Sequence, residues 1–382
     1  MNYAAVVAEM NPLHYGHLQI LQEARQRADG VVVLLSGAFT QRGMPVVTDK
    51  FTRAKDILQN GGDLVLTHPV QTAIAHGEMF SYGAVSALAH VPGIRSICCG
   101  TEWGDTRTFE AIRLYTKTKD FRDRLKSSLN DGASYATAYR MALEEKNTAW
   151  RHLFQGNALL AFGYYRAIAD QNLPISLIPI PRKEDGAFPT MHASEIRRIF
   201  GTDPARATKY CAATPPQFDE AALFSGLYLL YRAHFGADFD FSPYDGYEAG
   251  IEHRIVRLLR TETNAFRFLE RASTRRYSKW RIARLLLSAY LDISKKETQT
   301  SVQNSRSLQV LGFNERGREI LSFAKNGECR LLTNFKQLHD GDPDESLQLV
   351  WESKATDLWS VLTKAQMGED YLRHPVITTY KK

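Results

Sequence analysis

The sequence predicts an α/β protein: a doubly wound, mostly parallel sheet followed by a mainly α-helical second half. Three observations predict it. Apolar runs of strand length alternate with amphipathic runs of helix length through residues 3–179, the order that builds a parallel sheet with helices on both faces. The strand runs are continuously apolar, as strands covered on both faces are. Beyond residue 204 the periodicity turns helical and the helices have no clear strand partners.

Taken in order, Tyr3–Ala8 (YAAVVA) reads as a buried strand and residues 16–27 as the helix after it. Gly30–Ser36 (GVVVLLS) is the second strand, with an unbroken apolar centre. Residues 51–60 form a helix stopped by Gly61 and Gly62. Residues 63–66 are a short third strand, 78–89 a helix, and 94–99 (IRSICC) a fourth strand. Residues 109–130 are amphipathic and highly charged, and 134–169 are helical with an interruption around Gly156. Residues 173–179 form the last strand of this half, with prolines that suit an edge or a strand end. A polar loop over 182–188 leads to a helix start at 194–200. Helical periodicity then covers 221–234, 248–260, 264–272 and Lys279–Leu291. Residues 308–313 and 317–323 are not assigned by periodicity, and 330–334 suggest a short strand. The division falls near residue 204, giving domains 1–204 and 205–382.

At 382 residues the chain is long for one hydrophobic core, so two domains are expected. Its composition, 44% hydrophobic and 24% charged, is that of a folded globular protein. No apolar run approaches the roughly 18 residues of a membrane span, and MNYAAVVAEM at the start has no basic leading region. A cytoplasmic location is expected, with no membrane partner. Cys98, Cys99, Cys211 and Cys329 fit neither a disulfide scaffold nor a zinc spacing. They read as buried small hydrophobes, and no metal site is expected from them. The formal charge of +6 says little about partners by itself.

The chemistry concentrates where strands end. Asn11-Pro12-Leu13-His14-Tyr15-Gly16-His17 sits where the first strand gives way to a helix, a place where helix N–H groups and the dipole attract anions. His14 and His17, three apart, lie on one side of the first helical turn and can donate to phosphate oxygens. Gly16 lets the backbone approach a nucleotide, and Pro12 fixes the loop entry. A metal pair is the alternative, but a third ligand is not evident. The loop Ser36 to Pro45 follows the second strand, so it opens on the same sheet edge. There Arg42 can meet a phosphate or carboxylate, with Lys50 and Arg53 adding charge beyond it. Gly100-Thr101-Glu102-Trp103-Gly104-Asp105 follows the fourth strand. Glu102 and Asp105 can hold Mg²⁺, a ribose or an amine, or Asp105 can simply cap the next helix. In Met191-His192-Ala193-Ser194-Glu195-Ile196-Arg197-Arg198, Ser194 can cap a helix or touch a γ-phosphate, and Arg197 can reach polyphosphate. Arg182 and Lys183 also suggest anion binding. Finally, RASTRRYSKWRIAR over 271–284 mixes cations (Arg275, Arg276, Lys279, Arg281, Arg284) with Tyr277 and Trp280, a mixture that suits phosphates and unpaired bases.

Together these residues resemble the HIGH-type nucleotidyltransferase superfamily and, within it, the bacterial tRNA(Met) cytidine acetate ligases. The resemblance runs over nearly the whole chain and also takes in Gly61-Gly62-Asp63-Leu64-Val65, Phe80 to Val85 (FSYGAV) and Leu311-Gly312-Phe313-Asn314. Leu13 and Tyr15 stand where phenylalanine and asparagine are common, and Thr67-His68-Pro69 replaces a glutamate-leucine-proline stretch. The resemblance implies a Rossmann-like sheet and a ligase that activates acetate with ATP, with Mg²⁺ as the accompanying ion. The acetyl group of the acetyl-adenylate then passes to N4 of the wobble cytidine of elongator tRNA(Met), without acetyl-coenzyme A. His14 and His17 would be catalytic. ATP would lie on Val7, Ala8, Glu9, Met10, Asn11, Pro12, Leu13, His14, Tyr15, Gly16, His17, Leu18, Gln19 and Ile20, with Gly100, Asn157 and Arg182 as further contacts. Arg275, Arg276, Lys279 and Arg281 would meet RNA, making 1–204 catalytic and 205–382 the tRNA-binding part. The competing readings are a small-molecule adenylyl- or cytidylyltransferase of cofactor synthesis, and a non-catalytic RNA-binding module.

Overall fold

A computed structural model describes residues 1–181, 191–325, 327, 329–336 and 343–379, with only the backbone described over 343–347. The polar loop 182–188, with Arg182 and Lys183, lies outside the described residues. In chain order the elements are β1 (Tyr3–Ala8), α1 (Tyr15–Arg27), β2 (Gly30–Ser36), α2 (Lys50–Gln59), β3 (Leu64–His68), α3 (Val70–Ala73), α4 (Gly77–Ala89) and β4 (Ile94–Thr101). Then come α5 (Thr106–Thr116), α6 (Lys119–Asn130), α7 (Tyr135–Lys146), a 3-10 helix (Thr148–Phe154), α8 (Ala158–Asp170) and β5 (Ser176–Pro181). The second half holds α9 (Ala193–Phe200), α10 (Pro204–Thr208), α11 (Glu220–His234), α12 (Ile251–Thr261), α13 (Ala265–Ala272), α14 (Lys279–Leu291) and α15 (Lys295–Asn304). It closes with β6 (Ser307–Phe313), α16 (Glu315–Ala324), β7 (Arg330–Leu332), α17 (Pro343–Thr363), α18 (Glu369–Leu372) and β8 (Val376–Ile377).

The strands form one sheet in the order β5-β4-β1-β2-β3-β6-β7, with β8 also pairing β6. The five strands of the first half are parallel to one another. Alternate residues of β1 and β2 enter two separate cores: Tyr3, Ala5, Val32 and Leu34 on one face, Ala4, Val6, Val31 and Val33 on the other. The continuous apolar runs follow from that double coverage. β5 is an edge strand, which is where Pro179 and Pro181 can omit their ladder bonds.

Two departures from the expected layout have physical causes. The charged stretch 109–130 is two helices, because Thr118 caps α6 by accepting from the Phe121 N–H. The unassigned segment 308–313 is β6, which runs antiparallel to β3 and extends the sheet of the first half. Asp63, at the entry to β3, helps fix that joint. Its carboxylate takes a two-pronged contact from Arg25 of α1 at 2.6 and 2.7 Å and accepts from the Val31 N–H and from Asn314 Nδ2. Asn314 caps α16 directly after β6. The rest of the second half is mainly helical, and α11 to α14 and α17 share one core with Ala38, Phe39, Met44 and Val46 from the loop after β2 and with Val70 of α3. Among the described residues no helix is long and apolar enough to cross a membrane.

Candidate active site

The strand order reverses at β1, with β4 on one side and β2 on the other. In such sheets the crevice outside the carboxyl ends of the strands at the reversal point receives ligands. The loop after β1 fills that place, and its neighbours hold it on every side. Glu9 Oε1 accepts from the Gln41 N–H at 2.7 Å, and the Glu9 carbonyl accepts from Arg53. Asn11 Oδ1 accepts from the Val47 N–H at 2.9 Å, and the Asn11 carbonyl from Arg197 at 2.6 Å. The Leu13 carbonyl accepts from the Ala212 N–H. Met10, buried, has a left-handed backbone with φ of 44°. A left-handed non-glycine residue persists only where its surroundings over-determine it. Asn11 Nδ2 is buried without a hydrogen-bond partner.

His14 is the N-cap of α1, and its Nδ1 accepts from the Gly16 N–H at 3.1 Å. His17 Nδ1 accepts in turn from the His14 N–H at 3.3 Å, closing a capping box made of two imidazoles. The rings stack 3.8 Å apart at 26°. A ring nitrogen that accepts carries no proton, so the hydrogen-bond pattern assigns both neutral rings an Nε2–H. Two donors thus stand side by side at the positive end of a helix. A Cβ at Gly16 would lie 3.1 Å from the His14 ring, so glycine keeps that imidazole in place. The side chains of Met10, Leu13, Leu18 and Ile20, together with Ala8, pack into the core under the loop, and Val7 packs on the opposite face. Their part in any ligand contact would fall to the backbone.

Gly100 belongs to β4, beside β1, and pairs with Ile180 of β5. Gln19 of α1 donates to the Pro181 carbonyl at 3.3 Å, which brings the end of β5 beside the same helix. Asn157 is the N-cap of α8, and its N–H donates to Glu102. At Gly156, φ is +52° and a Cβ would collide with the Glu102 carboxylate, so Glu102 is seated on the α8 start. The loop after β1 and Gly100 thus sit on the neighbouring strands β1 and β4, and Asn157 is tied to the loop after β4.

Several anticipated contacts take other roles. Asp105 caps α5 by accepting from the Thr108 N–H at 2.8 Å. Among the described residues no group of three or more His, Cys, Asp or Glu side chains could hold a metal. Arg53 is fully buried and donates to the carbonyls of Thr48, Glu9, Ser36 and Gly37, so it ties loops together instead of adding surface charge. Burial lowers its pKa to about 10. Arg197 is equally committed, to Asn11 and to Glu220 at 2.7 Å. Ser194 is exposed in the first turn of α9, whose N-cap is His192. The four cysteines are buried, and burial pushes the Cys98 thiol up to about 11.

A buried ionic cluster further along the same edge had no signal in the sequence. Lys50 meets Asp370 at 2.7 Å and Glu352 at 3.1 Å, and donates to Gln309 and Thr356. Burial opposes the charge on Lys50, and the two carboxylates outweigh it, holding the ammonium above its ordinary pKa. Burial pushes the Glu352 carboxyl up. These partners lie 259 to 320 residues from Lys50 in the chain, beyond the reach of any local pattern.

The basic segment leads into α14. Arg276 pairs with Glu248, and Arg281 lies 3.5 Å from the same carboxylate while donating to the Gly246 carbonyl and covering the Tyr277 ring. Arg275 and Lys279 are exposed. Arg42, exposed at the tip of the mostly buried 36–45 loop, lies 5.2 Å over the Trp280 ring. The segment and the 36–45 loop are thus neighbours.

A family model described as HIGH Nucleotidyl Transferase matches residues 1–373. The chain is 27% identical to the tRNA(Met) cytidine acetate ligase of Acetivibrio thermocellus over 99% of this chain and all of the relative. It is 29% identical to that of Anoxybacillus flavithermus over 97% of both. Thermotoga maritima TmcAL, solved bound with alpha-thio ATP, superposes with a TM-score of 0.89 at 26% identity, covering both chains completely.

Proposed function

The chain belongs to the HIGH nucleotidyl transferase family, and from that premise we propose that it is an ATP-dependent tRNA(Met) cytidine acetate ligase. An acetate oxygen attacks the α-phosphorus of ATP, the bond to the β-phosphate breaks, and diphosphate leaves. The N4 amine of the wobble cytidine of elongator tRNA(Met) then attacks the acetyl carbon. AMP departs with the bonding pair, and N4 loses a proton.

The observation that carries this reading is the stacked His14–His17 pair at the start of α1. Their Nε2–H groups are suited to phosphate oxygens on which charge grows as diphosphate leaves. The buried, unpartnered Asn11 Nδ2 fits a polar ligand at the same edge. In this reading residues 7–20, Gly100, Asn157 and Arg182 hold ATP. Mg²⁺ would be held by the triphosphate oxygens, with no carboxylate cluster among the described residues to take it, and would supply charge neutralisation there. Residues 1–204 supply the catalytic part. The helical region within 205–382 presents Arg275, Arg276, Lys279 and Arg281 to tRNA. The full-length match to ligases named for this substrate supports the choice of acceptor.

The test is direct. Purified protein with labelled acetate, ATP and elongator tRNA(Met) should yield N4-acetylcytidine on nuclease digestion, with one AMP and one diphosphate per acetyl group. ATP turnover that transfers nucleotide to a small molecule, with no acetylated base on any tRNA, would overturn the assignment.

A further inference from the structure

We propose that Trp280, gripped between Arg42 and Lys279, is the platform on which an unpaired nucleobase of the RNA partner stacks, and that the 41–43 turn ties this platform to the nucleotide loop. The inference rests on the RNA-acting reading above and names the surface that would receive the base.

Trp280 lies at the start of α14, half-buried, with Lys279 Nζ 4.7 Å and the Arg42 guanidinium 5.2 Å from its ring centre. Both cations are exposed. An exposed cation on an indole is held weakly, and a stacked base is held more strongly, so a base can displace either cation and keep it beside the phosphates. The platform is joined to the site by short-range contacts. A Cβ at Gly43 would lie 3.0 Å from the Ala283–Arg284 backbone, and φ there is +75°, an approach and a conformation that only glycine allows without strain. Arg284 lies 3.5 Å from the Gln41 carbonyl. The Gln41 N–H donates to Glu9 in the loop that begins the His14–His17 site. A base seated on Trp280 is therefore one turn of chain from the nucleotide loop, and Arg42 acts as a positioning residue between them.

The experiment uses the full chain with a single-stranded oligocytidylate and the same strand annealed to its complement. The chain has five tryptophans, so the quench of fluorescence on binding is compared between wild type and Trp280→Phe. The single strand should quench, and Trp280→Phe should lose that quench while keeping most of the affinity. Trp280→Ala should bind roughly tenfold more weakly. Arg42→Ala should lower the salt dependence of single-strand binding by about 0.7 in the log–log slope, and Arg42→Lys should not. Melting temperatures report the fold of each variant. Equal affinity of the alanine and phenylalanine variants, or duplex bound as tightly as single strand, would overturn the platform. Wild-type acetylation of tRNA by Trp280→Ala would sink the platform alone. Stacking that depends on Trp280 in a chain making no acetylcytidine would leave the platform standing and sink the ligase.

Discussion

The loop after β1 and the basic segment are both proposed to meet anions, yet they are built on opposite principles. In the loop, Glu9, Asn11 and Leu13 are held by Gln41, Arg53, Val47, Arg197 and Ala212, drawn from widely separated parts of the chain. In the segment, the turn 274–277 is held by its own Thr274 hydroxyl, and a single carboxylate, Glu248, steadies Arg276 and Arg281. Chemistry at a phosphorus needs donors fixed before the charge develops, since reorganising them would cost part of the gain. A large polyanion needs charge that can adapt, because its affinity comes mainly from released counterions. Under the proposed function, the difference in anchoring matches the two tasks.

The comparison breaks most easily at Arg53. Its guanidinium serves four carbonyls on the loops around the site with no solvent to replace it. Arg53→Met should lower stability by about 3–5 kcal/mol, read from urea unfolding, since each buried carbonyl left without a donor costs about 1–3 kcal/mol. A loss below about 1 kcal/mol would mean the loop is not over-determined. Next in size are the imidazoles. His14→Ala or His17→Ala should cut acetate-dependent ATP cleavage roughly 10²–10³-fold, as loss of one preorganised donor does. Because each ring also orients the other, the double variant should fall little further than the worse single one. Full additivity would show that the stack is incidental.

What the sequence could and could not convey divides along the same line. β1, β2 and the helix start carrying His14 and His17 were legible because a buried parallel strand and a strand-to-helix turn each have a local signature. Arg53 and Lys50 were not. A cation one or two turns past a loop reads as solvated, and only the distant partners, Glu352 and Asp370, make burial of Lys50 possible. Asp105 was legible only as a choice between cap and ligand, and the Thr108 N–H decides it. β6 was missed for a related reason: SLQVLGF gains its meaning from pairing with β3, more than 240 residues away. The stacking of His14 on His17 was also beyond spacing alone, which places both rings on one side but does not say that His17 accepts the His14 N–H while His14 accepts that of Gly16.

His68 sharpens the comparison from the rigid side. It ends β3, fully buried, packed edge-on against Phe80 and bonded to Thr72, and burial lowers its pKa to about 3. The unfolded chain, with an ordinary value near 6.5, takes up the proton first as pH falls. Stability is therefore full above about pH 6.5 and drains away as pH falls toward 3. The loss between pH 7 and pH 5 should be about 2 kcal/mol in the wild type and absent in His68→Gln. Parallel pH profiles for the two proteins would show that this buried edge does not hold a neutral histidine.

The smallest effects belong to the segment, and they test whether its loose anchoring divides its cations by role. Arg275 and Lys279 project outward, while Glu248 already partly neutralises Arg276 and Arg281, and Arg281 also holds the Gly246 carbonyl. Each phosphate contact removed should reduce the log–log salt slope of RNA binding by about 0.7–1 and weaken binding a few-fold. Arg275→Ala and Lys279→Ala should show that change in filter binding over a salt series. Arg281→Ala should show less of it, because its charge is spent within the protein. Glu248→Ala should steepen the slope by releasing both arginines to the polyanion. If Arg281→Ala lowers the slope as much as Lys279→Ala does, Glu248 does not sort these charges, and the segment is a uniform basic face.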